Sequence, residues 1–162
     1  MTAQFAKRLG YAAASVVALA AGAASAAPAP IEAMNNIAAS IDANIDGVVT
    51  AAEHLDFTVA AFVSMDTDET RTIEENEFLG WDMGFAYIAD GLSKLDTYGD
   101  VKADVFAAWD ADGDGAISFA EANEQAATEF INSDADGNSE VVARDLATGS
   151  TTFAALLTAV RL

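Results

Sequence analysis

Twelve consecutive residues, Asp110 to Glu121 (D-A-D-G-D-G-A-I-S-F-A-E), leave the chain little choice of local structure. Carboxylates stand first, third and fifth (Asp110, Asp112, Asp114), with Gly115 sixth, Ile117 eighth, Ser118 ninth and Glu121 twelfth. A hard divalent cation takes six to eight oxygens at about 2.3–2.6 Å, and a short loop supplies them only by wrapping round the ion. Alternate side chains then point inward, Gly115 makes the sharp turn, the Ala116 carbonyl adds an oxygen and Glu121 closes the shell with two. A solvated acidic turn accounts for the aspartates but not for Gly115, Ile117 and Glu121 together.

A second stretch, Asp42 to Glu53 (D-A-N-I-D-G-V-V-T-A-A-E), repeats the pattern independently, with Asp42, Asn44, Asp46, Gly47, Val49, Thr50 and Glu53 at positions 1, 3, 5, 6, 8, 9 and 12. Both match D-x-[DN]-x-[DN]-G-x5-E, so the chain resembles the EF-hand family of calcium-binding proteins. The resemblance implies calcium ligands at Asp42, Asn44, Asp46, the Val48 carbonyl, Thr50 and Glu53. The corresponding set in the later loop is Asp110, Asp112, Asp114, the Ala116 carbonyl, Ser118 and Glu121.

Two further stretches keep the pattern in part. Asp66 to Glu77 offers Asp66, Asp68, Thr70, the Thr72 carbonyl, Glu74 and Glu77, but has Arg71 at position 6. A non-glycine residue at positive φ costs about 1 kcal/mol or more, and Arg71 brings a positive charge near the ligands. Glu74 compensates by offering a carboxylate where Ser or Thr would leave a water. Asp134 to Asp145 offers Asp134, Asp136, Asn138, the Glu140 carbonyl and Asp145, with Ser139 at position 6 and Val142, which has no side-chain oxygen, at position 9. A shorter carboxylate at position 12 suits one-oxygen ligation or a smaller ion. Calcium is therefore expected in loops 42–53 and 110–121, and weaker binding, of calcium or Mg2+, in loops 66–77 and 134–145.

Spacing decides the architecture. Asp42 to Asp66 and Asp110 to Asp134 are each 24 residues, so only His54 to Met65 and Ala122 to Ser133 separate neighbouring loops. Each such segment is one helix about 18 Å long, which holds its two loops at opposite ends. The 32 residues between Glu77 and Asp110 have room for two helices and a turn. Phe78, Trp81, Phe85 and Ile88 mark the first; Gly91 and Asp96 to Asp100 punctuate; Val101, Val105, Phe106 and Trp109 mark the second. The second and third loops are then expected to pair through Ile73 and Ile117, and the first and fourth through Val49 and Val141. The expected fold is all-α, one compact domain over 27–162. Ile31, Met34, Ile37, Ala38 and Ile41 form an opening helix, Phe62, Met65, Phe106, Trp109 and Phe130 join the core, and a short apolar helix, Thr151 to Val160, packs on the opening helix.

Residues 1–26 read as a signal peptide: Lys7 and Arg8, an apolar run from Leu9 to Ala23, then Ala24-Ser25-Ala26 as a cleavage site. The run falls short of the ~20 residues that span a membrane, so the expected location is periplasmic or secreted, with no membrane attachment after cleavage. Losing Lys7 and Arg8 takes the net charge from −19 to −21. That acidity argues against nucleic acid and anionic lipid as partners and in favour of divalent metal ions. The chain has no cysteine, which excludes disulfides, zinc-thiolate sites and thiol catalysis. The one histidine, His54, follows Glu53 and reads as a helix-surface residue rather than a base, and no enzyme is expected. A protein partner, unidentified, is compatible with this reading.

Single helices between neighbouring loops also resemble the periplasmic EF-hand proteins of bacteria, with loop spacing similar to the lanmodulin type, which binds lanthanides. Lanmodulin-type loops carry proline at position 2, where this chain has Ala43, Thr67, Ala111 and Ala135, and aspartate at position 9, where it has Thr50, Glu74, Ser118 and Val142. Lanthanide binding is accordingly the alternative to calcium.

Overall fold

The computed structural model describes residues 30–161; the proposed signal peptide lies outside them. Met34, Ile37, Ala38 and Ile41 recur every three or four residues and bury one side of helix α1 (Pro30–Ile41). After a loop, strand β1 (Val49–Thr50) leads into α2 (Ala51–Met65), and β2 (Thr72–Glu74) into α3 (Glu75–Gly80). Helices α4 (Phe85–Gly91) and α5 (Leu95–Trp109) follow. Strand β3 (Ala116–Ser118) opens α6 (Phe119–Ser133), β4 (Glu140–Val141) opens α7 (Ala143–Gly149), and α8 (Thr151–Ala159) closes the described chain. The protein is mostly helical; its strands are two or three residues long.

Two of the helix starts repeat one device. Thr50 and Ser118 accept the backbone N–H of Glu53 and Glu121, and those glutamates accept the cap residues' own N–H in return. Such reciprocal capping satisfies donors that a helix start otherwise leaves unpaired.

Strand pairing follows the crossed scheme that the residue counts require. β1 runs antiparallel to β4 with Val49 opposite Val141, and β2 antiparallel to β3 with Ile73 opposite Ile117. Each ladder is the centre of its own core. Val49 and Val141 sit with α1, α4, α7 and α8 side chains, including Met34, Phe85, Leu146 and Phe153. Ile73 and Ile117 sit with Phe62, Met65, Phe78, Val105 and Phe106. Helices α2 and α6 pack against each other and tie the two cores together.

Four expectations are corrected. The segment from Phe78 to Ile88 is not one helix: α3 stops at Gly80 and α4 begins at Phe85. The Asp82 carboxylate accepts the N–H groups of Gly84 (2.6 Å) and Ala86 (3.2 Å), and Gly84 takes φ 98°, so a local turn displaces the helical path. The break before α5 falls at residues 92–94, where Ser93 takes φ 55°, and not at Asp96 to Asp100, which lie inside α5. The closing helix takes α5 and α7 as its main neighbours, while α1 packs chiefly on α7.

His54 is the fourth correction. It is 7% exposed and its ring lies 5.6 Å from that of Phe130 on α6. Thr58, Phe62 and Met65 share its buried face of α2, so helical phase carries the imidazole inward. Burial lowers its pKa, against the opposing pull of Glu129.

Candidate metal centres

All four loops follow one backbone path. The sixth residue has positive φ in each: Gly47 93°, Arg71 75°, Gly115 92° and Ser139 65°. So does the fourth: Ile45 62°, Glu69 62°, Gly113 73° and Gly137 70°. For the non-glycine residues this conformation is strained, most of all for β-branched Ile45. The fourth position escaped the sequence reading, although Gly113 and Gly137 hint at it.

Hydrogen bonds hold the acidic side chains inward. Asp42 accepts from Asp46 N (3.2 Å) and Gly47 N (2.8 Å), Asp110 from Asp114 N (3.1 Å) and Gly115 N (3.0 Å), and Asp134 from Asn138 N (3.0 Å) and Ser139 N (2.8 Å). The third-position side chains Asn44, Asp68, Asp112 and Asp136 each accept the N–H two residues on. Asp46, Asp114 and Asn138 do the same at the fifth. Thr70 departs from this: its hydroxyl turns to Thr72 and Glu74.

The twelfth residue ties the loop's end to its beginning in three of the four loops. Glu53 Oε1 accepts from Ala43 N (3.0 Å) and Asn44 N (3.2 Å), while Oε2 accepts from Thr50 N (2.9 Å). Glu121 repeats this with Ala111, Asp112 and Ser118. Glu77 does so with Thr67, Asp68 and Glu74, and gains the Thr67 hydroxyl at 2.8 Å. Thr67 is a site residue the motif conceals, because position 2 is unrestricted there. Asp145 reaches only Val142 N, at 3.5 Å; the missing methylene leaves the fourth loop without that tie.

These contacts hold the glutamates ionised. The Thr50 and Ser118 N–H groups, then their hydroxyls, draw Glu53 and Glu121 below the ordinary range. Glu77 falls furthest, to about 2, chiefly through the Thr67 hydroxyl. Its folded pKa lies below the ordinary 4.5. The stability it contributes is therefore complete above that value and lost as pH falls toward 2. Acid unfolding of the metal-free protein is expected to steepen across this window and to flatten in Glu77→Gln; an unchanged acid limb would contradict the assignment.

The carboxylates converge in two loops. Oxygens of Asp66, Asp68 and Glu77 lie within 4.8 Å of one another, and so do those of Asp110, Asp112 and Glu121. These loops are partners across the β2–β3 ladder. Loop 42–53, a fuller match in sequence than loop 66–77, forms no such group: Asn44 puts an amide at the third position. Asp66 supplies the test of fit. Its Oδ2 accepts from Arg71 N at 3.0 Å, but its Oδ1 is buried without a hydrogen-bond partner. An unpaired buried carboxylate oxygen is costly, and a cation held by Asp66, Asp68 and Glu77 would satisfy it. The donor set, all oxygen, is that of a hard cation.

Arg71 is where this loop gives most away. Relieving an L-residue from left-handed backbone gains about 1–2 kcal/mol, and the extra freedom of unfolded glycine returns about 0.5–1. Arg71→Gly is thus expected to raise metal-free stability by about 0.5–1 kcal/mol in urea unfolding, and to tighten metal binding by removing a like charge. Weaker binding would contradict this reading.

Compared with known proteins, the chain matches no family model, and no curated protein or solved structure matches it.

Proposed function

We propose that the protein is an exported calcium-binding protein with four EF-hand-type loops, 42–53, 66–77, 110–121 and 134–145, acting as a calcium buffer or sensor or as a calcium-stabilised interaction module. The observation that carries the reading is the pair of converged carboxylate groups on the β2–β3 ladder, one of which leaves a buried Asp66 oxygen unpaired. Among the proposed ligands the glutamates at position 12 are both charge donors and loop ties, so metal binding and loop closure draw on the same carboxylates. The fourth loop, untied at Asp145, is the weakest and the one suited to Mg2+. No reaction is assigned: buried His54 packs on Phe130, and the acidic groups are accounted for as ligands and solvated faces.

Outside the cytosol, affinities of about 10⁻⁴–10⁻³ M suffice for calcium-dependent modules. Calorimetric titration of the protein with calcium is expected to count at least two ions, and fewer at millimolar calcium would overturn the proposal. The lanthanide alternative rests on the loop spacing; the four side-chain carboxylates in each of loops 66–77 and 110–121 are ordinary for calcium. Terbium emission sensitised by Trp109 separates the two: displacement by ordinary millimolar calcium favours calcium, and resistance to it favours a trivalent ion.

A further inference from the structure

The two cores leave a gap where they meet. A cavity of about 80 Å³ lies among α2, α5, α6, α8 and the turn at residues 81–83, with a wall made largely of Phe57, Phe62, Phe78, Met83, Phe153 and Leu156. The charged groups at its edge are already engaged. Lys102 Nζ donates to the carbonyls of Leu79 and Trp81. Asp82 accepts from Tyr98, Gly84 and Ala86, and Glu129 from Ser150, Thr151 and Thr152. His54 is the exception. It lines the cavity, is more than nine-tenths buried, and makes a ring contact with Phe130, yet its ring nitrogens have no hydrogen-bond partner among the described residues.

An imidazole brings a donor and an acceptor, and neither nitrogen of His54 is paired or sealed off, since Asp66 Oδ1 is the one buried side-chain polar atom left unpaired among the described residues. Water is a poor partner here, because an ordered buried water needs two to four polar contacts and the wall is largely apolar. A charged molecule would shed its hydration against a wall with no free counter-charge. We propose that the cavity binds a small neutral organic molecule, an apolar body carrying one hydroxyl or carbonyl group, with the body against the aromatic wall and the polar group hydrogen-bonded to His54. An engineered cavity of about 150 Å³ accepts benzene; about half that volume suits roughly three non-hydrogen atoms, the size of ethanol. The assignment is independent of metal binding in the loops.

The single histidine makes the test clean. Ethanol titrated into the ¹⁵N-labelled protein in millimolar calcium is expected to shift the His54 ring nitrogens saturably, with a Kd in about the millimolar range, as befits so few atoms. Ala126→Leu, which extends a buried side chain into the cavity, should abolish the shift. Ala61→Val, at a half-buried lining position, serves if the leucine variant does not fold, and should weaken binding at least threefold. His54→Phe should weaken ethanol binding about tenfold by tryptophan fluorescence while leaving xenon binding unchanged. No saturable shift up to 100 mM (about twenty times a 5 mM Kd), the same shift in the filled variant, or uptake of xenon but not of the alcohol would each overturn the proposal.

Discussion

Glu121→Gln is expected to remove most of the calcium-induced stabilisation contributed by loop 110–121. Calcium at 1,000 times Kd adds about 4 kcal/mol per site by mass action. If loss of the closing carboxylate weakens the site by about 100-fold, about 2.7 kcal/mol of that disappears. For a domain of this size the melting temperature in calcium should fall by about 10 °C relative to the parent. In chelator the two proteins should differ much less, because glutamine retains an oxygen to accept the Ala111 and Asp112 N–H groups that Glu121 now holds at 2.9 and 3.2 Å. The difference between the two conditions is the readout, since a merely structural role would shift both melts together. Asp145→Asn is the comparison. That side chain does not tie its loop closed, reaching only Val142 N at 3.5 Å, so its calcium-dependent shift should be several times smaller. Equal calcium-induced shifts in Glu121→Gln and parent would remove the metal from this loop.

The crossed ladders were legible because they follow from chain length alone. Single 12-residue connections hold neighbouring loops apart, and only the 32-residue middle segment is long enough to fold back. Core positions such as Ile73, Ile117, Phe62 and Phe106 were legible for a similar reason: they sit at fixed offsets from the four acidic loops. What was not legible turned on competition among local bonds. Trp81, Phe85 and Ile88 keep helical spacing through a break that Asp82 creates by capturing two N–H groups. Arg71 and Ser139 could be judged as replacements for glycine, but the left-handed fourth residues, Ile45 among them, have no counterpart in the motif. Glu129 gave no sign of its role. It stands on a helix among other acids, yet it is 4% exposed and gathers the hydroxyls of Ser150, Thr151 and Thr152 at the start of α8. Such a contact joins residues more than 20 positions apart, and no local pattern announces it.

The same junction carries the sharpest steric constraint in the fold. Gly149 ends α7 against the last turn of α6. A Cβ there would lie 2.4 Å from Ser133 Cα, 2.6 Å from the Asn132 carbonyl oxygen and 2.8 Å from Ser133 N. All three are backbone atoms of α6, so no side-chain rotation relieves the clash. Alanine is the better helix former by about 1 kcal/mol, but at a helix's last residue little of that is realised, and overpacking costs about 1–3 kcal/mol or more. The steric term wins. Gly149→Ala is expected to destabilise the protein by about 3 kcal/mol in urea unfolding at unchanged m. Separating α7 from α6 would also pull Ser150, fully buried, off Glu129 Oε2 at 2.7 Å, releasing the start of α8. Gly99 and Gly80, also in helices, provide the opposite sign: nothing lies within 4 Å of an added Cβ at either. Gly99→Ala, inside α5, should therefore stabilise by about 0.5–1 kcal/mol. A Gly149→Ala variant as stable as the parent would mean that α6 and α7 do not meet backbone to backbone, and that Glu129 does not hold α8 in the way described.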